Sequence, residues 1–141
     1  MRMFLSGEWR ESQDKIEVRN PFSGEILDTV PVATASDIDS ALHTLQAGAA
    51  VMRKMPAWDR AQILRKAAAL MKEREDELAR TISLEEGKIL AEGKLEASRA
   101  REVIEVSAEE ARRIVGEMIP LDAAPGVQGK LGFTLRIPCG I

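Results

Sequence analysis

Lys130-Leu131-Gly132-Phe133-Thr134-Leu135-Arg136-Ile137 is the stretch on which the fold turns. Leu131, Phe133, Leu135 and Ile137 fall on one face and Lys130, Gly132, Thr134 and Arg136 on the other. That period of two predicts a half-buried β-strand. A lone strand needs a neighbour, because its unpaired N–H and C=O groups otherwise remain open along an edge. The other strand-like runs lie about a hundred residues away, so the partner is expected from further polypeptide or from another subunit.

Working back from this strand, Leu121 to Gly129 is rich in Pro, Gly and Ala and reads as a loop. Before it the period is helical. A third helix is expected from about Ile89 to Val115, with Ala97, Ala100, Ile104, Ala108, Ala111, Ile114 and Val115 as its stripe and Gly116 and Pro120 at its end. A second runs from near Ala57 to a break at Gly87, through Ile63, Leu64, Ala67, Leu70, Met71, Leu78 and Ile82. The first follows Thr34-x-x-Asp37, a capping box with Asp in place of Glu, and buries Ile38, Ala41, Leu42, Leu45, Ala49 and Met52 before Pro56 closes it. These three stripes are expected to pack on one another.

The first thirty residues read as β-hairpins. Ser6-Gly7 is a turn pair between Met3-Phe4-Leu5 and Glu8-Trp9-Arg10. Asn20-Pro21-Phe22-Ser23-Gly24 turns between Ile16–Arg19 and Glu25–Val32, with Pro31 confined to a strand end or edge.

Composition narrows the function classes. Hydrophobic residues are 45% and charged residues 30% of 141, and the net charge is −3, with acids and bases interleaved; this is globular and leaves no basic field for nucleic acid. Aromatics at 4%, without tyrosine, make no base-stacking platform. No apolar run is long enough to cross a bilayer. One cysteine and one histidine make neither a disulfide nor, unaided, a zinc site. Cys139, in Pro138-Cys139-Gly140, has no helix start or base beside it in sequence, so it reads as a small buried residue at a strand end rather than a nucleophile. His43 reads as a surface imidazole on the first helix. No G-x-G-x-x-G or Walker loop occurs; Gly87-Lys88 reads as a helix C-cap. Glu73–Glu77 and Glu109-Glu110 read as solvated, ion-paired faces. No catalytic, cofactor-binding or metal residue is therefore expected within the chain.

An ordered series of motifs resembles the start of the aldehyde dehydrogenase superfamily. Ser6-Gly7-Glu8-Trp9 is similar to its early Gly-x-Trp turn, and Asn20-Pro21-Phe22-Ser23-Gly24-Glu25 with Val30-Pro31 to its first large hairpin. Arg60-x-x-Ile63-Leu64-x-x-Ala67-x-x-Leu70, Arg74-x-x-Glu77-Leu78-Ala79 and Glu85-x-Gly87-Lys88 resemble its long second helix and exit. Glu109-Glu110-Ala111, Gly116-Glu117-x-Ile119-Pro120 and Arg136-x-Pro138-x-Gly140 continue the match. Residues 108–114 and Gly132-Phe133-Thr134 look most like a bacterial or archaeal branch acting on lactaldehyde, phosphonoacetaldehyde, succinate semialdehyde or glyceraldehyde 3-phosphate.

The resemblance implies an α/β fold: the N-terminal part of such an enzyme, with β-hairpins, three long helices and the first oligomerisation strand, but without the complete Rossmann sheet. Residues 1–129 would be the N-terminal part of the cofactor-binding domain. Residues 130–141 would be the first oligomerisation-flap strand, with Leu131, Phe133, Leu135 and Ile137 as its contact face. The parent enzyme would be a cytoplasmic homo-oligomer using NAD or NADP on a small aldehyde, through a catalytic Cys beyond Ile141. This chain would itself be inactive and bind no cofactor. The apolar end at Ile141 fits a chain cut within a larger protein. The alternative is a stand-alone helical oligomerisation or interaction module, which should cap its last strand and end in polar residues.

Overall fold

A computed structural model describes residues 1–141. Two short antiparallel hairpins come first. β1 (Met3–Leu5) pairs with β2 (Glu8–Arg10), and β3 (Lys15–Arg19) with β4 (Ile26–Pro31). Ser6 and Gly7 both take positive φ, 53° and 86°, the handedness that a two-residue hairpin needs to match strand twist. Asn20 builds the second turn. Its Oδ1 accepts from the Phe22 and Ser23 N–H groups at 2.9 and 3.2 Å, and Gly24 closes it at φ 73°.

Four helices follow: α1 (Ala35–Lys54), α2 (Ala57–Glu73), α3 (Glu75–Glu86) and α4 (Leu90–Glu110). The expected cap of α1 is present. The Thr34 hydroxyl oxygen accepts from the Asp37 N–H at 3.2 Å, and the Asp37 carboxylate accepts from the Thr34 N–H at 2.9 Å. These bonds to Thr34, side chain first and backbone second, hold the Asp37 carboxyl below its ordinary value of 3.8. A depressed carboxyl pKa stabilises the folded state above the ordinary value and loses that contribution as pH falls through the folded one. Helicity of α1 should therefore hold down to about pH 4 and decline below it, and Thr34→Ala should flatten that decline; circular dichroism against pH checks this.

Two helix boundaries differ from the pattern reading. The expected second helix is two helices, interrupted at Arg74 (φ −108°, ψ 18°). No Gly or Pro marks the break. Glu75, Asp76 and Glu77 form the first turn of α3, where carboxylates suit the helix dipole, and Arg74 grips Glu77 through Nε and Nη2 at 2.8 and 2.6 Å. The expected third helix stops at Glu110, not Val115, because residues 116–119 turn away to pair with a later strand.

α2 and α3 pack against α4 along a seam of small residues. Ala61, Ala68, Ala79, Ala97 and Ala108 are buried, with Gly93 among them. A Cβ on Gly93 would lie 2.6 Å from the Ala79 carbonyl oxygen, so α3 and α4 touch backbone to backbone. The first helix departs from expectation: α1 buries nothing, and its stripe residues Ile38, Leu42, Leu45 and Met52 are 45–54% exposed. No large side chain anywhere is fully buried.

The accessible surface is 10988 Å² for 15.5 kDa. A compact monomer of that mass exposes about 7,200 Å² by the usual scaling, which leaves a surplus of roughly 3,800 Å². The helical seam is real packing, but the chain does not enclose a hydrophobic core of ordinary size.

Candidate functional site

The alternating stretch 130–137 resolves into a short strand and an open tail. Only β6 (Gly132–Phe133) is paired, antiparallel to β5 (Met118–Ile119), with Met118 opposite Phe133 and Ile119 opposite Gly132. This corrects the expectation of an eight-residue strand with no partner in the chain. The neighbour sits in Gly116-Glu117-Met118-Ile119-Pro120, where Gly and Pro suggested only a helix end. The Thr134 N–H donates to the Glu117 carbonyl at 2.9 Å, and the Glu117 N–H donates to the Thr134 hydroxyl at 2.8 Å. Gly116 is required there, since a Cβ would meet the Thr134 carbonyl oxygen at 1.7 Å.

Beyond Thr134 the ladder ends. Residues 135–137 make no backbone hydrogen bond. Leu131, Phe133, Leu135 and Ile137 are 72, 57, 73 and 78% exposed, so this row of apolar side chains lacks cover within the chain.

A second group of motif residues meets at the hairpin–helix joint. Gly87 ends α3 in the left-handed conformation at φ 76°, and a Cβ there would lie 2.8 Å from Cγ of Pro21. The Asn20–Gly24 turn thus seats directly on the exit of α3. Lys88, the next residue, pairs with Glu86 at 2.6 Å and with Glu96 on α4; hydrogen bonds to these two carboxylates push its ammonium further up, away from any role as a base. The Ser83 hydroxyl donates to the Lys88 carbonyl at 2.5 Å. Two motifs 60 residues apart therefore form one structural joint, not a reacting centre. Nothing in the spacing of either could have paired them, because the contact of Pro21 with Gly87 is made only when the hairpin turn seats on the exit of α3.

The remaining candidates take structural positions. Cys139 is exposed, not buried as its apolar sequence context suggested, because the chain around it is uncovered. His43 is exposed on α1. Arg60 donates to the Met55 carbonyl at 2.6 Å, tying α2 to the α1–α2 turn, and the Arg112 guanidinium stacks 5.1 Å from the Trp58 ring, tying the exit of α4 to the start of α2. No group of three His, Cys, Asp or Glu side chains is placed to hold a metal ion, and no helix is long and apolar enough to cross a membrane.

Residues 9–141 match the model of the aldehyde dehydrogenase family. The chain belongs to that family. It is 34% identical over 139 residues to a 3-sulfolactaldehyde dehydrogenase of Priestia aryabhattai, covering 99% of this chain and 29% of that protein. It is 41% identical over 118 residues to the NADP(+)-type succinate-semialdehyde dehydrogenase of Escherichia coli K12, covering 82% of this chain and 24% of that one. Among solved structures, aldehyde dehydrogenase 21 of Physcomitrella patens, in complex with the reaction product succinate, superposes with a TM-score of 0.88 at 34% identity over 94% of this chain and 28% of that chain. The chain spans less than a third of the length of these relatives. Its hairpins and helices are the mixed α/β N-terminal part of the aldehyde dehydrogenase fold, and the family's catalytic-cysteine region lies outside the aligned part.

Proposed function

We propose that this chain is the N-terminal part of an NAD(P)-dependent enzyme that oxidises a small aldehyde carrying an acidic group to the corresponding acid. The observation that carries the reading is the ordered family match over residues 9–141. The acidic group is inferred from the relatives: sulfolactaldehyde bears a sulfonate, and succinate semialdehyde a carboxylate.

The 141 residues do not themselves form a dinucleotide site. Their three sheets are each two-stranded and antiparallel, and no Gly-rich turn opens a helix from a parallel strand. No step through the cofactor is assigned to them. Their part in the enzyme is architectural. Residues 1–129 are the N-terminal part of the cofactor-binding domain. Residues 130–141 begin the oligomerisation flap, with Leu131, Phe133, Leu135 and Ile137 packing against further polypeptide in a cytoplasmic homo-oligomer. The nucleophile is a cysteine other than Cys139: the thiolate of that residue adds to the aldehyde carbon, hydride passes from that carbon to bound NAD(P)+ so that a thioester is left, and water then releases the acid and the thiolate. The stand-alone module is disfavoured by the surplus surface and by the open row at residues 131–137.

The test is an assay of the complete enzyme with NAD+ and NADP+ against succinate semialdehyde, sulfolactaldehyde and a neutral aldehyde of equal length. A charge-assisted contact to the acid group contributes about 1.5–3 kcal/mol, so kcat/KM should favour the acidic aldehydes roughly tenfold to a hundredfold. Equal rates would remove the acidic-substrate reading, and no turnover on any aldehyde would remove the dehydrogenase itself. Cys139→Ala should leave kcat within about twofold, because the family's catalytic-cysteine region lies outside the aligned part; a loss beyond about a hundredfold would make it the nucleophile.

A further inference from the structure

No further inference is drawn: the strongest candidate, the open cleft where Arg53 of α1, Arg60 of α2 and Arg136 of the terminal segment line one wall system without a carboxylate among them, has two of its three arginines on exposed positions, and nothing in the structure shows what covers it.

Discussion

Gly93→Ala lowers stability by about 1–3 kcal/mol, the range for forcing an extra carbon into a closed contact. The residue that would have to yield is not a flexible side chain. It is the Ala79 carbonyl, 2.6 Å from the new Cβ and held within α3. Moving it means separating α3, which buries Ala79, from α4, which buries Gly93, Ala97 and Ala108. Helix propensity alone pulls the other way, since alanine is favoured over glycine within a helix by about 0.5–1 kcal/mol. Gly48→Ala on α1 isolates that opposing effect, because a Cβ there meets nothing within 4 Å. The two substitutions should therefore have opposite signs in urea unfolding of the complete enzyme followed by circular dichroism. A Gly93→Ala protein as stable as Gly48→Ala would mean that the helices do not touch backbone to backbone.

The second large effect is self-association of the 141-residue chain on its own. A surplus of roughly 3,800 Å² falls in the size class of obligate interfaces, about 2,000–5,000 Å², whereas scattered single apolar residues call for no such cover. The exposed apolar side chains cluster in sequence: Ile38, Leu42, Leu45 and Met52 recur at helical spacing on α1, and Leu131, Phe133, Leu135 and Ile137 fall within seven residues. In water such clusters cover one another. Light scattering at high micromolar concentration should give a mass well above 15.5 kDa. Leu135→Lys together with Ile137→Lys should lower that mass, since both side chains are more than 70% exposed. A monodisperse monomer at such concentrations would show that the chain is self-contained.

Residue patterns alone reach no further than helices flanked by β structure; the ordered motifs carry the family, and the match over residues 9–141 bears that out. Leu131, Phe133, Leu135 and Ile137 are exposed, and only Gly132–Phe133 of the expected strand is paired. No signal in the sequence distinguished Met118-Ile119 as its two-residue partner, because two residues are too few to show a period.

By itself the sequence determined the parts whose polar groups are satisfied within a few residues. Thr34 and Asp37 close their cap over three positions, Ser6-Gly7 turns one hairpin, and Asn20 folds the next turn over its own backbone, so local chemistry settles each. Only the tertiary structure decided the rest: the break at Arg74, the early end of α4, the seat of Pro21 on Gly87 and the bare face of α1. An apolar stripe says that a face seeks cover and not what supplies it, and a glycine's missing side chain gains its meaning only when a distant backbone arrives in that space.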